Sequence, residues 1–177
     1  MKMNKIMLAA AMVFGVASLA NAADQGHGKV TFSGSIIDAP CSITPESMDQ
    51  TVELGAISNV ALKGGGKSAP KNFQVKLDNC VIEEGGKNSV KLTFSGAASD
   101  ANPELLALSG DAKGAGIVIT DSAGKPIKLG TATTAQSLGN GNNTLSFSAY
   151  LQGSTASGAT IVPGEFQSVA DFTLAYQ

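Results

Sequence analysis

The chain has 177 residues with 12 Lys and 14 Asp plus Glu, giving a formal net charge of −2, and 43% of it is hydrophobic. Every cation is Lys and none is Arg, so bidentate clamps for phosphate or carboxylate are missing. The acidic balance argues against nucleic acid and anionic membrane surfaces as partners, and one His with two Cys cannot furnish the usual metal or nucleophile constellation.

Residues 1–22 read as an export signal. Lys2 and Lys5 open it, residues 6–17 are an apolar run too short to span a bilayer, and Ala20-Asn21-Ala22 is a small-x-small site for cleavage between Ala22 and Ala23. A signal anchor is the alternative, but no stop-transfer flank follows. The mature chain, residues 23–177, is 155 residues long, suits one domain, and keeps 10 Lys against 14 acids for a net −4. No membrane insertion of the mature chain is expected. Cys41 and Cys80 both survive cleavage, and in an exported chain they read as one disulfide. Closing that loop would remove unfolded-state entropy worth roughly 4 kcal/mol. A metal site at the two cysteines is the sharper alternative, and it lacks the four closely spaced ligands that zinc takes.

After the signal, Gly26, Gly28, Val30, Phe32 and Gly34 alternate with His27, Lys29, Thr31 and Ser33. Residues 35–43 carry apolar residues into a Pro40 bend and read as an edge strand, because Pro cannot donate to a ladder. Thr51 to Leu54 is a short extended piece, and residues 63–70, rich in Gly and Lys, are a solvated loop. Phe73, Val75 and Leu77 alternate toward Cys80, a strand with one buried face. Glu83-Glu84-Gly85-Gly86 is a turn, and Val90, Leu92 and Phe94 point inward from the next strand.

Residues 100–107 suggest a short helical or irregular crossover. Residues 116–120 form an apolar β-branched strand, turned by Ser122 to Pro126 into a hairpin with Ile127 and Leu129. Gly139 to Asn142 is a turn, and Leu145, Phe147, Ala149 and Leu151 alternate in a long strand with Tyr150 on the opposite face. Pro163-Gly164 is a bend. In residues 166–177, Phe166, Ala170, Phe172, Leu174 and Tyr176 fall on one side, with Gln167, Asp171, Thr173 and Gln177 mostly on the other.

Turn-punctuated strands with almost no helix pattern imply an all-β antiparallel sandwich. About six main strands follow the N-terminal stretch, where an immunoglobulin-like sandwich has seven. The missing strand should lie beside the terminal one, whose outer edge has no later segment to pair it.

The residues Gly26-x-Gly28-Lys29-Val30-x-Phe32, Ser35-Ile36-Ile37-Asp38-Ala39-Pro40-Cys41-Ser42-Ile43, Phe73-x-Val75-x-Leu77-x-x-Cys80 and the ending Ala175-Tyr176-Gln177 resemble those of structural pilins of the chaperone-usher pathway. The resemblance is nearest the major subunits of P pili and of mannose-resistant, Proteus-like fimbriae, and it covers the whole mature chain. Its most specific marks are the penultimate Tyr176 and Gly164, fourteenth from the end counting Gln177 as the first. The resemblance implies an incomplete immunoglobulin-like sandwich of six strands whose seventh is supplied in trans. It also implies residues 23–34 as a donor-strand extension and residues 35–177 as the pilin domain. Gly164, Phe166, Ala170, Phe172, Leu174 and Tyr176 would line the acceptor groove. A periplasmic chaperone would fill that groove and anchor the Gln177 carboxylate, and at an outer-membrane usher the next subunit's extension would replace it. Gly26, Gly28, Val30, Phe32 and Gly34 would form the donated strand, with Gly26 or Gly28 at a shallow pocket; the register stays open.

Other motifs read more plainly as structure. Residues 61–68 nearly spell a phosphate-binding loop, but Ala61 stands where Gly is needed and Pro70 discourages the following helix. His27 alternates away from Val30 and Phe32, and its pattern matches no nucleophile or metal constellation. No Gly-x-Ser-x-Gly elbow occurs, Glu83-Glu84 is a hydrated turn, and the formal sequon at Asn142 is turn chemistry. The expectation is a non-enzymatic structural subunit of a surface fimbria, without cofactor or metal, that assembles head to tail with identical or homologous subunits. A minor tip or adaptor subunit, or a self-contained secreted β-sandwich that binds a ligand, are the competitors.

Overall fold

A computed structural model describes residues 26–100 and 102–177. The export signal, its cleavage site at Ala22 and Ala23, and the start of the extension lie outside the described residues. The contact pattern divides the chain after Ile36 into two units. In the first, residues 26–36 form no strand or helix and are exposed, Val30 at 75% and Phe32 at 90%.

The second unit is antiparallel β throughout, with two single-turn helices. Its strands in chain order are β1 (Ser42–Ile43), β2 (Lys71–Cys80), β3 (Ser89–Gly96), β4 (Ala98–Ser99), β5 (Asn102–Leu106) and β6 (Ser109–Gly110). There follow β7 (Ala115–Thr120), β8 (Pro126–Ile127), β9 (Gln136–Ser137), β10 (Gly141–Gly153), β11 (Phe166–Gln167) and β12 (Ala170–Tyr176). The helices α1 (Pro45–Met48) and α2 (Asn59–Leu62) lie between β1 and β2. The larger sheet runs β1-β2-β10-β7-β5-β4, with β8 also on β7. A second runs β12-β3-β9, and β11 pairs with β6 alone.

The core lies between the two larger sheets. Val75 and Leu77 of β2 and Leu145 and Phe147 of β10 meet Val90, Leu92 and Phe94 of β3, all at most 3% exposed. Phe94 packs edge-to-face on Phe147 with ring centroids 5.2 Å apart, an arrangement that aromatic quadrupoles favour. Phe73 joins them at 5.6 Å from Phe147 and 6.2 Å from Phe94. Alternation in β2, β3 and β10 thus places one face of each in this layer, as period two requires. Cys41 and Cys80 are joined in a disulfide with Cα atoms 4.1 Å apart, which ties the segment before β1 to the end of β2. The turns at Gly85, between β7 and β8, and at Pro163-Gly164 lie where the sequence put them.

The fold departs from the sequence reading in four places. Residues 35–43 yield only the two-residue β1, which does sit at a sheet edge, paired with Leu77 and Asp78. Thr51 to Leu54, read as a short extended piece, has no helix and pairs with no strand among the described residues, which leaves that reading standing. Residues 63–70 are ordered against β10: a 3-10 turn spans Lys63–Gly65, Lys67 bridges to Gln152, and Leu151 N donates to Ser68 Oγ at 3.0 Å. Side-chain bulk is forbidden there, since a Cβ on Gly153 would lie 1.8 Å from the Leu62 carbonyl oxygen. Residues 100–107 are not a helical crossover. Asn102–Leu106 form β5 of the β4–β5 hairpin, in which Leu106 pairs with Ile117 and is buried, so tertiary pairing overrides the helix-compatible composition. The run 166–176 is two strands, β11 on β6 and β12 on β3, and the chain changes partner at Ser168 and Val169.

Candidate assembly site

The apolar side of β12 is incompletely covered, and its backbone is paired on one edge. Ala170 through Tyr176 pair residue by residue with Gly96 through Val90 of β3. Among the described residues no strand occupies the opposite edge. Ala170, Phe172, Leu174 and Tyr176 are half-buried while Asp171, Thr173 and Ala175 are exposed, so the strand has an inner and an outer face. The inner side chains rest on the core. Phe172 stands 6.5 Å from Phe94, and all four pack against the buried cluster without being closed over. An unpaired edge beside a half-covered apolar face is a template for an added strand.

The ends of this strand are fixed from within the domain. At its start, Gly96 lets the chain come close: a Cβ there would lie 2.5 Å from Leu106 Cδ2 and 2.7 Å from the Val169 carbonyl oxygen. At its end, Gln177 and Ser89 exchange both backbone hydrogen bonds, Gln177 N donating at 2.9 Å and Ser89 N at 3.1 Å. Sequence reasoning passed over both Ser89 and Gly96; a glycine closing an alternating strand was the available signal. The Tyr176 hydroxyl is buried with no hydrogen-bond partner among the described residues, and burial pushes its pKa up from the ordinary 10.0.

The sequence-selected residues do not all converge. Ala170, Phe172, Leu174, Tyr176 and Gln177 share β12 and its end, whereas Phe166 sits on β11 beside Gly110 and belongs to a different pairing. Gly164 approaches Asp111 and Ala112 so closely that a Cβ would lie 2.7 Å from Ala112 N. That contact lies within the domain, next to the Glu165 carbonyl that accepts from Asp111 and Ala112 N–H groups. Gly28 and Gly34, together with Gly26 at φ +132°, have nothing described within 4 Å of where a Cβ would stand. Among the described residues no cluster of three or more His, Cys, Asp or Glu could hold a metal ion, and no helix is long and apolar enough to cross a membrane.

The family model for fimbrial protein matches residues 30–177. The chain belongs to the fimbrial protein family. It is 67% identical over 177 residues to Fimbria A protein of Serratia marcescens, with the whole of both chains covered. To the Major MR/P fimbria protein of Proteus mirabilis strain HI4320 it is 51% identical over 179 residues, again across both chains. Among solved structures it is similar to a chain of a chaperone-usher pilus described for rod uncoiling, with TM-score 0.77 and 38% identity over 86% of this chain and 97% of that one. The P pilus rod subunit PapA superposes with TM-score 0.71 and 35% identity over 78% of this chain and all of PapA. This fimbrial protein therefore has the immunoglobulin-like pilin fold and is a structural subunit of an extracellular chaperone-usher fimbria, in a family of fibre components rather than enzymes.

Proposed function

We propose that this fimbrial protein is the major subunit of its fibre and that the β12 edge is the acceptor for residues 26–34 of a second copy. The observation that carries this is the pairing of a deficit with a surplus. β12 has one open edge and a half-covered apolar face, and each molecule also carries Val30 and Phe32 exposed on an arm with no strand partner among the described residues. The glycines Gly28 and Gly34 of that arm support the reading, because among the described residues nothing around them calls for a missing side chain. A close approach in the docked state would call for it.

Docking Val30 and Phe32 would bury apolar side chains worth on the order of 3–6 kcal/mol before any ladder hydrogen bonds. One arm and one acceptor edge per molecule make a head-to-tail contact that does not close, which is a fibre. Before assembly the same edge needs a temporary strand, the role assigned to a periplasmic chaperone, with exchange at an outer-membrane usher. Major rather than minor standing is supported by the likeness to the Proteus mirabilis major fimbria protein and to the P pilus rod subunit.

The test is periplasmic expression with and without a pilus chaperone, using the full chain, a deletion of residues 23–34, and Phe172→Glu. The deletion should keep chaperone-bound subunit and lose fibre, whereas Phe172→Glu should lose both. A soluble, cooperatively melting subunit lacking residues 23–34, recovered without chaperone, would overturn the reading.

A further inference from the structure

Beyond the apolar plugs, we propose that Lys29 of one copy pairs with Asp171 of the next, across the outer face of the arm–β12 contact, so that this charge pair selects the register of assembly. The inference rests on the donor-strand reading above.

The register follows first from side-chain size. β12 presents Ala170, Phe172, Leu174 and Tyr176 inward, with its smallest residue at the start and its largest at the end, and the arm offers Gly26, Gly28, Val30 and Phe32, rising from glycine to Phe. Antiparallel docking with Phe32 opposite Ala170 sets Val30 against Phe172, Gly28 against Leu174 and Gly26 against Tyr176. Each bulky group then faces a smaller one, as close packing requires. Parallel docking would stack Phe32 on Tyr176 and leave Gly26 on Ala170, overfilled at one end and hollow at the other.

The outer faces are then determined, because successive side chains of a strand alternate. Lys29 comes opposite Thr173, and Asp171 lies on the diagonal at about 7–8 Å between backbones, within reach of a long side chain. These are the only formal charges at neutral pH on their segments: Lys29 within residues 26–35, and Asp171 within Ala170–Tyr176. Both are exposed, and among the described residues neither is in an ion pair; the pair that does occur, Lys128 with Glu104, is elsewhere. On β3 the residue facing Asp171 is Ser95, with Thr93 beside it, and the charge on that face of β3, Lys91, stands opposite Ala175, four residues along β12 from Asp171.

The pair separates the possible slips. If the arm moved two residues so that Gly34 met Ala170, Phe32 would collide with Phe172 and Lys29 would stand across from Ala175, away from Asp171. If it moved the other way, Lys29 would face Asp171 directly, but Phe32 would pass beyond the start of β12 and lose its seat. One register satisfies both charge and volume.

The test uses the full chain as sole subunit in cells with the complete assembly machinery, reading sheared fibre against oxidised subunit in the periplasm. Lys29→Glu and Asp171→Lys should each lower the fibre-to-subunit ratio about two- to fivefold, the range of an exposed cross-strand pair, and the double exchange should restore most of it. A double variant no better than either single, or singles equal to wild type, overturns the proposal. Should a reversal deplete the periplasmic subunit itself, Lys29→Gln and Asp171→Asn decide: each should lower the ratio slightly and the two together no further, whereas additive losses overturn it. Deleting residues 23–34 in the same cells separates the two ideas. Fibre from the deletion sinks the donor-strand reading, while loss of fibre there with unchanged reversals sinks only the charge pair.

Discussion

β10 and β12 carry the same alternation of apolar side chains but differ in what lies beside them. β10 is paired with β2 on one edge and β7 on the other, and Leu145, Phe147, Ala149 and Leu151 are 2–7% exposed. Among the described residues β12 is paired with β3 alone, and Ala170, Phe172, Leu174 and Tyr176 stay half-buried. Period two reports which face of a strand is apolar. Whether that face is covered depends on strands that are distant in sequence.

The sharpest test sets Phe147→Ala against Phe172→Ala in urea unfolding of the oxidised full chain. Phe147 is enclosed by Phe73 and Phe94, so its loss should cost about 3–5 kcal/mol. Phe172 gives up only part of its surface to water on unfolding, and about 1–2 kcal/mol is expected. Equal losses would show that β12 is as enclosed as β10, and the open-edge account would fail.

A middle-sized effect is expected at Gly164. Gly164→Ala drives a methyl group into Asp111 and Ala112, and about 1–3 kcal/mol of overpacking should appear as a lower melting temperature of the lone subunit. If stability is unchanged and only chaperone binding falls, Gly164 acts at the assembly site and not through the β6–β11 contact.

The smallest effect is a titration. Burial holds the Tyr176 phenol neutral above its ordinary 10.0, so the fold favours the protonated form. That contribution to stability is complete below pH 10.0 and is lost as pH rises through the higher folded-state value. Tyr150→Phe leaves Tyr176 as the sole tyrosine, since the chain has two, and near-ultraviolet absorbance then reports it. A phenol titrating at or below its ordinary value in the lone subunit would mean that the hydroxyl is open to water. Docking of an arm should raise it further.

Legibility in the sequence followed the range of the forces. β2 and β3 were readable as turn-bounded alternating runs, and the β7–β8 hairpin as an apolar β-branched run followed by a turn, because in each the inner residues supply their own reason for burial. The β4–β5 hairpin was not, since Asn102-Pro103-Glu104-Leu105-Leu106 favours a strand only once Leu106 finds Ile117. The break at Ser168 and Val169 left a trace that the reading passed over, since polar Ser168 falls on the apolar side of the run and apolar Val169, 74% exposed, on the polar side. Of the candidate site, the β12 side chains and the disulfide were visible. The transfer of Phe166 to β11, the internal contact of Gly164 and the bracketing of Gln177 by Ser89 were not.

By itself the sequence determined the β class, the inward face of each main strand, the pairing of its two cysteines and the pattern of the arm, because these rest on local sterics and on the chemistry of single residues. Tertiary structure alone decided which edge stays open, where the last run changes sheets, and which glycines exist for a close approach. Those outcomes depend on strands far apart in the chain arriving side by side, and no window of neighbouring residues contains that information.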